Sequence, residues 1–125
     1  VIPVNLNEVD NLFEIYFGCM RSEYYFIKMI EAFVTPGIEG YGRECVCCVL
    51  ASAFKKGEEE YFGETGVKLC INEPAVSRDV EIIVSYEEFL RRLRIEYSNY
   101  LLNYPKKSQD AIKYFKTLEE KLEKG

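Results

Sequence analysis

The chain has 125 residues, 48% hydrophobic and 30% charged, which suits one folded domain with its own core and leaves little room for intrinsic disorder. No apolar run approaches the roughly eighteen residues of a membrane helix, so no membrane association is expected. Net charge is −5 and unevenly spread: residues 58–88 hold nine acids and two bases, residues 1–57 seven and five, and residues 89–125 five and nine. An acidic middle block argues against direct nucleic-acid binding, which needs clustered Lys and Arg, and favours a basic protein partner.

In chain order, Asn7 or Asp10 can cap a first short helix running to about Phe17, with Leu12, Phe13, Ile15, Tyr16 and Phe17 as its apolar positions. Ser22 is the next N-cap, and Phe26, Met29, Ile30 and Phe33 recur behind it at helical spacing until Pro36 and Gly37 stop the helix. Three glycines within residues 37–42 read as a connector with positive-φ positions. The period then shortens. Residues 45–50 form a nearly unbroken apolar run, expected of a strand covered on both faces. Residues 55–59, with Gly57, read as a hairpin turn. Tyr61 and Phe62 restart the strand pattern, Val67, Leu69 and Ile71 continue it, and Gly63 and Gly66 mark a bulge or a second turn. A loop at residues 72–79 leads to a third strand through Val80, Ile82 and Val84.

Ser85 followed by Glu88 is a capping box at the head of a long helix. Its apolar stripe is Tyr86, Leu90, Leu93, Tyr97, Tyr100, Leu101 and Tyr104, and Pro105 ends it. Ser108 can cap a last helix that buries Ile112, Phe115, Leu118 and Leu122. Segregated elements predict an α+β domain: N-terminal helices, a three-stranded antiparallel meander, and C-terminal helices packed on one face of the sheet. It is read as one domain over residues 1–125, with its core at about 10–118.

Histidine is absent, which removes the commonest general base and the usual Ser/His/Asp and Cys/His nucleophile arrangements. No phosphate-binding glycine loop, dinucleotide fingerprint or zinc-protease motif is present. No catalytic residue, metal ligand or cofactor site is therefore assigned, and the chain is read as a non-enzyme. The five cysteines are an odd number and no signal peptide is visible, so cytoplasmic residence with reduced thiols is expected. Cys45, Cys47 and Cys48 crowd one strand, whose pleat sends them to opposite faces and opposes a shared metal. Glu58, Glu59 and Glu60, with Glu64 and Tyr61 nearby, read either as a solvated loop or as a cation-seeking patch. Glu39, Tyr41 and Glu44 are second candidates for the same role, because tyrosine beside carboxylate is an interface composition. Arg91, Arg92 and Arg94 face Glu87, Glu88 and Glu96 at helical spacing and read as salt-bridged surface.

One ordered set of pieces resembles a known family. They are Tyr16-Phe17, Phe26-Ile27 with Ile30-Glu31 and Phe33, the glycine-rich residues 37–42 followed by Glu44-Cys45, Phe62 with Gly66-Val67, Val84-Ser85-Tyr86-Glu87-Glu88-Phe89, and Tyr100-Leu101-Leu102-Asn103-Tyr104-Pro105. In order and spacing the chain resembles the immunity proteins of bacterial contact-dependent growth inhibition, the CdiI proteins, of the kind that answers EndoU-like ribonuclease toxins. The resemblance implies an inhibitor of a cognate ribonuclease toxin domain, the C-terminal domain of a CdiA-type exported protein. An acidic surface would cover the basic face that such a toxin must offer to RNA. Apart from the resemblance, an unrelated acidic regulatory module acting on a basic partner fits the same charge pattern.

Overall fold

The computed structural model describes residues 6–107 and 109–124. Two helices, α1 (Leu6–Gly18) and α2 (Glu23–Val34), precede four strands, β1 (Gly40–Arg43), β2 (Val46–Leu50), β3 (Val67–Ile71) and β4 (Val80–Val84). Helices α3 (Tyr86–Asn103) and α4 (Gln109–Lys124) follow. The strands form one antiparallel sheet in the order β1-β2-β3-β4. The architecture is the expected α+β meander with one strand more than the sequence shows.

That extra strand is β1, which lies within the glycine-rich connector. Its pairs are Gly40 with Val49, Tyr41 with Cys48, Gly42 with Cys47 and Arg43 with Val46. A Cβ at Gly42 would stand 2.8 Å from the Val46 carbonyl oxygen, and one at Gly40 2.8 Å from that of Cys48. The glycines thus permit close strand approach. Of the expected positive-φ positions in this stretch, Gly37 takes one (φ 86°), and the non-glycine Glu39 takes another (φ 48°). Glu44 (φ 51°) opens the tight turn into β2.

Register divides the sheet into two faces. Cys48, Leu69 and Ile82 align across β2, β3 and β4 on one face, flanked by Val46 with Ile71 and Leu50 with Val67. These side chains are buried under the helices. On the other face, Gly42, Cys47, Cys70 and Glu81 form one row, and Gly40, Val49, Lys68 and Ile83 the next. Cys47, Glu81 and Ile83 there are exposed. The apolar run in β2 is therefore covered on one face, not two. Its outward positions hold small or aliphatic side chains that read as buried in sequence alone.

The core joins α1, α2 and α3 to the sheet through aromatic rings. Phe89 stacks on Phe17 at 6.4 Å and meets Phe33 edge-on at 5.5 Å. The wholly buried Tyr16 donates its hydroxyl to the Tyr41 carbonyl at 2.9 Å, which satisfies a polar group that burial would otherwise penalise. Helix α4 closes the layer by packing Phe115 flat on Tyr97, with ring centroids 3.9 Å apart.

The caps are largely as read. Ser22 accepts from the Tyr25 amide and Ser85 from the Glu88 amide, both at 3.0 Å. The Glu88 carboxylate turns to Arg91 and Arg92 instead of reaching back to Ser85. Neither Asn7 nor Asp10 is the cap, since α1 includes Leu6 and so begins before both; Asp10 pairs with Arg92 at 2.7 Å. The expected cap Ser108 lies outside the described residues. Helix α4 buries Ala111 and leaves Ile112 47% exposed, because the closely packed α2 admits the smaller side chain. Tyr61 and Phe62 continue no strand: they lie in a long connection between β2 and β3.

Candidate functional site

The β2–β3 connection, residues 51–66, leaves and re-enters the sheet on the same rung of adjacent strands. Leu50 pairs with Val67, and the Ala51 amide donates to the Gly66 carbonyl at 2.8 Å. A loop whose ends meet and whose own side chains fill it is an Ω-loop, a kind that often carries function. Phe54 and Phe62 fill this one, meeting edge-on at 6.2 Å. The Lys68 ammonium sits 4.7 Å from the Phe62 ring and 3.6 Å from the Glu81 carboxylate, so its charge is already engaged.

Two successive turns build the loop tip. The Glu58 amide donates to the Lys55 carbonyl at 3.0 Å, and the Tyr61 amide to the Glu58 carbonyl at 3.1 Å. Glu58 also accepts from the Lys55 amide at 2.7 Å, which pins the first turn. Glu58, Glu59, Glu60 and Glu64 are all exposed and Tyr61 is half-buried. Lys55 and Lys56 on the same loop reduce its net charge. Beside the loop, Thr65, Ser85, Glu87, Arg94 and Glu123 help to line a groove of about 400 Å³.

The three remaining candidates are placed elsewhere. Glu39 is buried, bonded to Lys121 of α4 and accepting from Ser52 at 2.7 Å. Burial opposes its charge, but the hydrogen bonds from Lys121 and Ser52 outweigh it and hold the carboxyl below the usual range. Tyr41 is a strand residue packed against the core rather than a loop residue. Glu44 is exposed, at the opposite end of the sheet from Glu58. Glu73 and Asp79 share that far end, exposed in the loop between β3 and β4, and were not singled out in sequence because each stands alone among polar neighbours.

The pleat sorts the cysteines. Cys48 faces the core, while Cys47 and Cys70 oppose each other on the open face. Burial raises the thiol pKa of Cys47 and drives that of Cys48 well up. Cys70 is pushed up to about 11, by burial first and by the Glu81 carboxylate next. These thiols are protonated at neutral pH, which makes them poor nucleophiles.

Helices cover one side of the sheet, the other side is open, and exposed carboxylates lie beyond both sheet ends. The chain belongs to the CDI immunity protein family, whose pattern it matches over residues 9–115. No curated protein and no solved structure matches it. A CDI immunity protein neutralises its cognate CDI toxin, so the reading as an unrelated regulatory module gives way.

Proposed function

We propose that this chain neutralises a CDI toxin with ribonuclease activity, the C-terminal domain of a CdiA-type protein, by laying an acidic surface over its RNA-binding or active-site face. The exposed Glu58, Glu59, Glu60 and Glu64 on a closed, aromatic-filled loop carry this reading. A ribonuclease must gather cations to hold phosphates, and the same cations attract fixed carboxylates. Tyr61 adds a half-buried ring beside them, a residue type enriched in interface centres. Glu44 stands at the far sheet end as a secondary contact. Glu39 and Tyr41 act from beneath, by holding the start of β1. The inhibitor acts by binding and needs no cofactor. Its place of action is the cytoplasm, where the RNA is; no described helix is long and apolar enough to cross a membrane.

The test reverses Glu58, Glu59 and Glu60 to Lys and measures affinity for the toxin domain encoded beside this chain, together with RNA cleavage by that domain. Affinity is expected to fall by about a hundredfold, with cleavage restored and the thermal midpoint unchanged. An unchanged affinity removes the loop from the interface, and a toxin domain that leaves RNA intact removes the ribonuclease assignment.

A further inference from the structure

The open face of the sheet has an apolar centre between two acidic ends. At the centre, Val49 is half-buried, Cys47 is exposed and Ile83 is 50% exposed, while Lys68, which stands between Val49 and Ile83, has its charge taken up by Glu81 and the Phe62 ring. Gly40 and Gly42 leave the neighbouring strand low, since neither has a side chain to stand above it. Glu58, Glu59, Glu60 and Glu64 lie beyond one end of the strands, where they outnumber Lys55 and Lys56, and Glu44, Glu73 and Asp79 lie beyond the other, where they outnumber Arg78. The loop and the face are continuous. A Cβ built on Gly66 would lie 3.5 Å from Ile83 Cγ2 and 3.9 Å from Phe62, so the loop's ring and the sheet's isoleucine flank the same glycine.

An apolar centre within a polar rim is the anatomy of a protein interface, and here the rim carries mostly one sign of charge. We infer that the whole open face of the sheet, not the acidic loop alone, is the toxin-docking surface, and that its occupant is an apolar ridge of the toxin flanked by basic residues on both sides. This rests on the proposed reading of the loop and extends it. It explains how Glu44 and Glu58, at opposite ends of the sheet, serve one partner. The apolar centre supplies desolvated contact area, and the two acidic ends fix the orientation in which the ridge lies across the strands.

Native cysteines allow a test on the unaltered chain. Cys47 lies at the centre of the face, whereas Cys19 is half-buried at the end of α1, on the helical side. Maleimide labelling at mildly alkaline pH, read by mass spectrometry, is compared with and without a saturating amount of the cognate toxin domain. Bound toxin is expected to slow labelling of Cys47 by about tenfold or more and to leave Cys19 unchanged. In parallel, Ile83→Glu is expected to weaken toxin affinity by about tenfold or more, while Ile112→Glu, at a similarly exposed site on α4, leaves it unchanged. Cys47 labelled at the same rate in a complex that the Glu58–Glu60 reversal still disrupts would overturn the sheet-face assignment and leave the loop assignment standing. Protection of Cys47 on raising the concentration of this chain alone would also overturn it, since the occupant would then be a second copy.

Discussion

A single buried carboxylate shows how residue chemistry and long-range folding meet in this chain. Glu39 follows a helix stop, takes a left-handed backbone conformation and accepts from Ser52 and Lys121. In sequence it stands between Ile38 and Gly40, one of several acids near glycines, and nothing local tells it from Glu44. Its partner Lys121 is far away in the chain, so its burial is legible only after α4 has docked on α2. Glu39→Gln removes the charge but keeps the shape, and is expected to lower stability at neutral pH by about 1–3 kcal/mol in urea unfolding. The pH dependence follows from the direction of the shift. Because the folded-state pKa lies below the unfolded one, folding favours the ionised form. The stabilisation is complete above the ordinary carboxylate range and drains away as pH falls through the lowered native value. The Gln variant should lack that part of the acid-induced loss, so the two stability curves converge at low pH. Parallel curves would mean that the Lys121 contact contributes nothing.

Elements with local signals were the legible ones. Helix α2 announces itself by Ser22 and its four core residues, and α3 by Ser85, because a cap and a 3.6-residue period both act within a few positions. Strand β1 was missed because Gly-Tyr-Gly carries no β signature. It pairs only because β2 waits beside it and its glycines avoid the β2 carbonyls. Phe62 was misplaced for the converse reason: an aromatic residue among glycines reads as strand, yet here it packs on Phe54 inside a loop. The candidate loop was found by its charge, while the open sheet face stayed hidden because outward Cys47 and Val49 look like core. Gly42→Ala should cost about 1–3 kcal/mol through collision with the Val46 carbonyl. Gly18→Ala, at an exposed helix position with open space around its Cβ, should be neutral or stabilising. Paired thermal melts check both, and equal effects would remove close strand approach as the reason for the glycine.

The whole molecule is electrically lopsided. The acids concentrate in residues 58–88, from the loop through β3 and β4 to the start of α3, and the bases in residues 89–125. Several of those bases are spent within the helical layer, where Arg94 pairs with Glu119 at 3.0 Å and Arg92 with Asp10 at 2.7 Å. The resulting field should turn the acidic side toward a basic partner before contact. Association with the toxin domain is therefore expected to slow by about tenfold or more between roughly 0.02 and 0.5 M salt, with dissociation changing far less. Stopped-flow or surface-capture kinetics across salt concentrations measure this, and a salt-independent association rate would show that the field plays no part in capture.

The Ω-loop rests on a single rung of the ladder, the Leu50–Val67 pair, and is joined at its base by the Ala51–Gly66 hydrogen bond. Its length and sequence can therefore change without shifting the strands beneath, at a cost that grows only slowly with added residues. A toxin and its antidote must diverge together if each pair is to remain private. On the proposed reading of the loop as a toxin contact, a tip that can change above a fixed base would let partner preference drift while the scaffold stays the same, and exchange of this loop would be a means of re-addressing one immunity protein to another's toxin.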